Sequence, residues 1–298
     1  MDNTKDTLHK PVMVEEVLNY LYPQSGHIIL DCTVGGGGHA NKILDKIKPD
    51  GFLIGIDKDM EILQIAKQTL SKTPGKFKLY HADYSDIDEV LRQAGIDKVN
   101  GVLLDLGVSS LQFDQADRGF SFTKEGPLDM RMDQSHGITA QNLIQRLSET
   151  KLGELLWKYG EERWSRRIAR AILKEENEVG ISSTRQLASV IERVVPRGKS
   201  KIHPATRVFQ ALRIAVNKEL ESLEIFLDKI HNYMVVGARI VIISFHSLED
   251  RIVKNKFIEK TKQNVFQILT KKPITPHEAE IRENIRSRSA KLRAAERI

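Results

Sequence analysis

A single cysteine, Cys32, stands in a chain of 298 residues, so no intrachain disulfide can form and a reducing, cytoplasmic setting is expected. Long apolar runs are missing too. None approaches the roughly 18–20 residues needed to span a bilayer, and no membrane association is expected. The first ten residues, MDNTKDTLHK, are polar and lack the apolar stretch of a secretion signal. Internal repeats and low-complexity tracts are absent. The nine histidines are scattered, without metal-ligand spacing, and no bound metal is expected.

Charge, by contrast, is abundant and mixed. Lys and Arg number 46 against 40 Asp and Glu, a net +6. The surplus is uneven: residues 151–213 hold 14 basic and 7 acidic side chains, and the stretch from Arg251 onward holds 13 and 5. A polyanionic partner meeting the second half of the chain fits this distribution. Hydrophobic residues make up 40%, enough for one large or two modest domains.

Short apolar runs alternate with helical patterns through the first third. Residues 27–32 (HIILDC), 52–56 (FLIGI), 77–81 and 99–106 (VNGVLLDL) read as strands. Residues 39–47, 59–70 and 85–94 read as helices, with Ile62, Leu63, Ala66 and Leu70 on one face of the second. Strands this apolar, joined by single helices, predict a parallel sheet covered on both faces. The next comparable strand, 238–245 (ARIVIISF), comes late. Connections in such sheets take about 2–6 residues plus a helix. Residues 112–203 exceed that, and include the period-3.6 segments GEERWSRRIARAIL and STRQLASVIERVV. They read as an inserted all-helical, substrate-recognition domain between two core parts, 1–111 and 204–298. One long helix from Pro204 to about His231 is expected to return to the sheet, followed by a helix over 247–259 and a strand at 265–270. The basic tail IRSRSAKLRAAERI reads as an edge strand, or as a segment ordered only on RNA.

The strongest local signal is Asp31-Cys-Thr-Val-Gly35-Gly36-Gly37-Gly38-His39, between a strand and a helix. Four glycines let the backbone turn tightly and approach a ligand, with a helix N-terminus behind them. Gly35-x-Gly37-x-x-Ala40, followed by Asp57 after the second strand, also fits a dinucleotide fingerprint. On these features a nicotinamide dinucleotide and S-adenosylmethionine are both open. Two others favour S-adenosylmethionine. Asp31 ends the first strand, where a carboxylate suits a cationic methionine moiety and sits poorly beside a pyrophosphate. His81-Ala-Asp83-Tyr84 ends the third strand with an acid and a ring, which an adenine amine and face can use. Asp31, Asp57, Asp83 and Asp105 thus line one sheet edge, although each alone also serves as a helix cap.

These residues belong to a longer series: HKPVM, DCTVGGGGH, GIDKD, LLDLGVSSLQ, RGFSF, GPLDMRMD, GEERWSRRIA, HPATRVFQALRIAVN, SFHSLEDR and SRSAKLRAAE. In these ten ordered blocks, across nearly the whole chain, the sequence resembles the ribosomal RNA small subunit methyltransferase H family. The resemblance implies an α/β class I S-adenosylmethionine-dependent methyltransferase fold, Rossmann-like with a mainly parallel sheet and an inserted helical domain. It implies methylation of N4 of a cytidine in the decoding region of 16S rRNA, with the small ribosomal subunit as partner. A homodimer is admitted and not required. Family cofactor contacts map onto Gly37, Gly38, His39, Asp57, Tyr84, Asp105 and Gln112, beside Asp31, Gly35 and Asp83 from the reading above. One departure is that Asp105-Leu-Gly-Val-Ser-Ser110 stands where many amino-methyltransferases carry an Asn/Asp-Pro-Pro-aromatic motif.

A cytosine exocyclic amine is a poor nucleophile, because its lone pair is delocalised into the ring. Accepting a hydrogen bond from its N–H restores density and opens a route for the lost proton. In-line alignment supplies about 7–11 kcal/mol in well-oriented systems, and the base must be unstacked to reach a pocket. Asp105 is the first candidate for this work, by side chain or backbone. Ser109 and Ser110 are further candidates that also serve as turn residues. His246 reads as a general base or, in Ser247-Leu-Glu-Asp250, as part of a near-capping box. For RNA contact the candidates are Phe120, Phe122, Arg131, Arg163, Arg166, Arg167, Arg170 and Arg207. The two Phe stack on the target base, close over the cofactor or lie beneath a loop, and Arg131 either faces substrate or pairs with Asp129. The arginine stripe, opposite apolar Trp164, Ile168, Ala171 and Ile172, is either a phosphate-binding or a solvated face.

Overall fold

The computed structural model describes residues 11–196 and 203–298. The N-terminal MDNTKDTLHK, with the first two residues of the HKPVM block, and residues 197–202 of the expected insert lie outside the described residues.

The chain opens with α1 (Val14–Leu21), β1 (Ile28–Asp31), α2 (Gly38–Ile47), β2 (Phe52–Asp57), α3 (Met60–Leu70), β3 (Lys76–His81), α4 (Ile87–Ala94) and β4 (Val99–Asp105). Six helices follow: α5 (Ser110–Asp114), α6 (Ala140–Arg146), α7 (Glu149–Gly160), α8 (Ser165–Glu178), α9 (Thr184–Val194) and α10 (Ala205–Asn217). Then come α11 (Glu219–Lys229), β5 (Met234–Ser244), α12 (Ser247–Lys262), β6 (Phe266–Ile268), α13 (Glu278–Glu283) and β7 (Lys291–Arg297). Two compact units result: Met1–Ser109 with Leu220–Ile298, which holds the sheet, and Ser110–Glu219, which is helical.

All seven strands join one sheet in the order β3-β2-β1-β4-β5-β7-β6. The first five are parallel, and β7 runs antiparallel to both its neighbours. Successive residues of each strand enter opposite cores, as the period of two requires. Leu30, Val102, Leu104, Ile240 and Ile242 pack with Val90, Phe226 and Phe257 on one face. Ile29, Leu103, Val241 and Ile243 pack with Val17, Ile43, Leu44 and Ala66 on the other. Both faces of the central strands are buried, which is why β1, β2 and β4 read as continuous apolar runs, whereas edge strand β3 is exposed at Lys76, Lys78 and His81. This is the expected class I methyltransferase fold, Rossmann-like, with helices interposed between β4 and β5.

The helical unit is built on α7, which packs against both α8 and α10, while α9 packs on α8. Ile168 and Ile172 of α8 are fully buried, as their spacing predicts. Asn217, at the end of α10, holds the 130–132 loop: its Nδ2 donates to the Met130 carbonyl (2.7 Å) and its Oδ1 accepts from Met132 N–H (2.7 Å).

Three expectations need correction. The single helix over 204–231 is two, because Lys218 adopts a left-handed φ of +53° that ends α10 before α11 begins. The division between units accordingly falls at Glu219 rather than at 203. The basic tail is neither an edge strand nor a segment awaiting RNA: β7 lies between β5 and β6, with Leu292, Ala294 and Ala295 fully buried. The short β6 takes the edge.

Candidate active site

The parallel register brings the strand-end acids to one edge. Asp31 pairs with Gly55 of β2 and Leu103 of β4, while Asp57 lies opposite His81 and Asp105 opposite Ile243. The glycine loop follows β1 at this edge. Gly35 and Gly37 have φ of +52° and +86°, which a side chain would oppose. Gly37 is the N-cap of α2, and a Cβ on Gly38 would stand 3.1 Å from the Pro11 ring. A Cβ on Gly35 or Gly36 would make only an ordinary contact at 3.8 Å, with the Thr33 carbonyl or the Ile65 side chain, so neither position is crowded.

Two of the loop's amides are spent internally. Gly35 N–H donates to Asp57 Oδ2 (3.0 Å), and Gly37 N–H to the Val34 carbonyl (2.9 Å). Asp57 Oδ1 also accepts from Asp59 N–H (2.9 Å). A pyrophosphate would find those two donors occupied and three carboxyls beside it. The arrangement suits a cationic or hydrogen-bond-donating ligand instead.

The carboxyls pay for their burial in proton affinity. Burial, aided by the nearby Asp57 charge and opposed by the Thr33 N–H bond, pushes Asp31 up to about 7. Burial likewise raises Asp57 to about 6. Asp105 lies well above the ordinary carboxylate range, through burial and then the charges of Asp31 and Glu249. Asp83 goes the other way. Burial alone would raise it, but Lys58 (2.5 Å), Ser85 N–H (2.8 Å) and the Ser222 hydroxyl (2.7 Å) overcome that and hold it below the ordinary range. Tyr84 follows it, its ring edge-on to Phe226 at 5.6 Å.

Asp105 is tied at its backbone, where its N–H donates to Thr33 Oγ1 (2.6 Å). Its Oδ2 stands 3.5 Å from Nδ1 of His39, a buried residue of α2 whose Nε2 lies 2.8 Å from the Val12 carbonyl. Its Oδ1 is shielded from solvent, without a hydrogen-bond partner among the described residues. Ser109 closes this unit's first segment. His246 is the N-cap of α12: its Nδ1 accepts from Glu249 N–H (3.4 Å), and Glu249 Oε2 accepts from His246 N–H (3.3 Å). The capping box thus sits one residue earlier than Ser247.

In the helical unit, Gln112 is buried on α5 and Phe120 is buried near it in sequence. Phe122 stacks on His203 (4.5 Å, 20°) and meets Phe209 edge-on. Arg131 is held by Asp129 through two bonds of 2.8 Å. Arg163, Arg166 and Arg167 are exposed, with Arg163 and Arg167 each over the Trp164 ring. Arg170 pairs with Glu149 (3.1 Å), and Arg207 bonds weakly to the Glu161 carbonyl (3.4 Å).

The sequence reading passed over Thr33, Val12, Lys58 and Ser222. Thr33 alone carried a signal, as the one hydroxyl in DCTVGGGGH.

Residues 6–298 match the MraW methylase family. The chain is 48% identical to the ribosomal RNA small subunit methyltransferase H of Geotalea uraniireducens, covering 98% of this chain and 99% of that protein. It is 50% identical to the protein of the same name from Thermotoga neapolitana, covering 97% and 96%. A solved structure, an rRNA methylase from Streptococcus thermophilus, aligns over 96% of this chain and 93% of its own with a TM-score of 0.45 and 11% identity. With the match running almost from end to end, this chain belongs to the MraW methylase family.

Proposed function

We propose that this chain is an S-adenosylmethionine-dependent methyltransferase that methylates N4 of a cytidine in the decoding region of 16S rRNA. The observation that carries the reading is the row of carboxyls at the strand ends, Asp31, Asp57 and Asp105, beside a glycine turn in which the Gly35 and Gly37 amides are already used. A cationic ligand favours the charged forms of Asp31 and Asp57, which a phosphate would oppose. The names of the near-full-length relatives point to small-subunit rRNA as the substrate.

S-adenosylmethionine supplies an electrophilic methyl group when bound, and the chain's task is positioning and electrostatics. Asp31 faces the cationic amino-acid end, Asp57 holds the turn and stands near the ribose, and Tyr84 packs beside the adenine. The Gly35–Gly36 backbone leaves room for the cofactor to lie against the strand ends. Asp105 accepts a hydrogen bond from the target amine, returning electron density to a nitrogen that otherwise shares its lone pair with the ring. Asp83, clamped by Lys58 and Ser222, supports the adenine loop. The exposed arginines of the α7–α8 turn and α8 contact RNA phosphates.

The test uses small ribosomal subunits from a strain lacking this protein, incubated with the purified chain and labelled S-adenosylmethionine. Label on N4 of one decoding-region cytidine, lost in Asp105→Ala, is the expected result. Tight cofactor binding with no label on the subunit would remove the substrate and leave the fold standing.

A further inference from the structure

The two ring nitrogens of His39 have different duties. Nε2 lies 2.8 Å from the Val12 carbonyl oxygen. A carbonyl only accepts, so Nε2 carries a proton and donates it. Nδ1 faces Asp105 Oδ2 at 3.5 Å. In the neutral ring with Nε2 protonated, Nδ1 is a bare acceptor, and a carboxyl oxygen opposite it repels unless one proton lies between them. That separation is longer than a closed bond, as is common in unliganded sites that tighten on binding. The other oxygen, Oδ1, is a buried acceptor without a partner among the described residues, a cost that a substrate N–H removes.

We propose that His39 is a positioning residue that shares one proton with Asp105 Oδ2, leaving Oδ1 to receive the proton the amine loses on methylation. This rests on the reading of Asp105 as the group beside the amine. The nitrogen lone pair forms the new bond to carbon as the methyl–sulfur bond breaks and its pair stays on sulfur. The amine's N–H proton passes to Oδ1, and the N–H bonding pair remains on nitrogen. The proton on Oδ2 moves to Nδ1. The carboxyl ends neutral, as it began, and the positive charge that arrived with the methyl donor ends on the imidazolium.

The surroundings favour this division. The charged groups facing Asp105 from other elements are Asp31 at the end of β1 and Glu249 on α12, and both oppose a second negative charge there. Thr33, on the loop after β1, offers a hydroxyl to the Asp105 N–H (2.6 Å). His39, from α2, is the basic side chain in contact with the carboxyl.

The test begins with NMR of the full chain, ¹⁵N-labelled at histidine and bound to S-adenosylhomocysteine. His39 is expected with Nε2 protonated and a low-field proton between Nδ1 and Asp105, lost in Asp105→Asn. A ring protonated on Nδ1 with Nε2 bare, or one unchanged by Asp105→Asn, overturns the proposal. His39→Gln retains a donor for Val12 and removes the base, so kcat at saturating S-adenosylmethionine is expected to fall about 100-fold. A kcat within about threefold of the wild type at saturating cofactor would make His39 structural only and sink the idea. If the wild-type chain methylates no rRNA, the proposed function fails separately, and the tautomer with its dependence on Asp105 still decides the dyad.

Discussion

Asp31 is 1% exposed and receives one hydrogen bond, from Thr33 N–H. Its carboxyl is raised to about 7 in the folded chain, against an ordinary 3.8. Between those values the folded state holds the proton more tightly than the unfolded one. The stabilisation is therefore complete at low pH and disappears as pH rises through about 7. Asp31→Asn keeps an acceptor for Thr33 and abolishes the titration. Above pH 7 the unliganded variant should exceed the wild type by up to about 4 kcal/mol, with the advantage shrinking toward pH 5. Denaturant unfolding across that range decides it, and a difference independent of pH would show that burial of the charge is not the cause. The strand-end acids were legible in the sequence because each closes an apolar run. What holds Asp83 was not, since Ser222 lies 139 residues away and nothing local marks the pairing.

At the scale of elements, α12 depends on an uncommon cap. His246 fills a place usually held by Ser, Thr, Asp or Asn, and Glu249 completes the box. His246→Ala should cost about 1 kcal/mol in thermal unfolding, with His246→Asn restoring most of it. His246→Asn should also keep turnover well above the roughly 100-fold loss that removing a general base produces. A turnover collapse in a stable His246→Asn would return the residue to the chemistry. The sequence pattern located this helix and misplaced its cap by one residue, because imidazole is not a usual capping group. The pattern also found the parallel strands: two-sided burial leaves apolar runs in β1, β2 and β4, while β3, at the edge, is exposed at Lys76, Lys78 and His81. It could not order β7, where Lys291, Arg293 and Arg297 give a basic look to a strand that is interior at Leu292, Ala294 and Ala295. Arg293 is accommodated by Asp250, with Nε to Oδ1 at 2.7 Å.

For the whole molecule, the chain divides into a sheet unit that holds the strand-end acids and a helical unit that holds the arginine stripe. Arg163, Arg166, Arg167 and Arg170 are all exposed; Arg170 pairs with Glu149, and Arg131, outside the stripe, is engaged by Asp129. Replacing the first three with Ala should reduce the slope of log K against log salt by about 0.7–0.9 per lost phosphate contact, without changing cofactor affinity. Binding of a decoding-region RNA across a salt series measures it, and an unchanged slope would make the stripe merely solvated. The inserted unit itself was legible from length alone, since no crossover needs so many residues. Its inner bracing by Asn217 was hidden, because that residue reaches back 87 positions to Met130.

The pairing of Asp105 with Ile243 also bears on how the chain reaches its native state. Joining β4 to β5 brings together segments separated by more than a hundred residues, and the entropy lost in closing a loop grows with its flexible length. Ser110–Glu219 is contiguous, so its own contacts, even the reach of Asn217 to Met130, are nearer in sequence than the pairing of Asp105 with Ile243. With the insert formed, the span that β4 and β5 must bridge is no longer a free coil. An insert that folds first therefore lowers the entropy lost in joining the sheet that it interrupts.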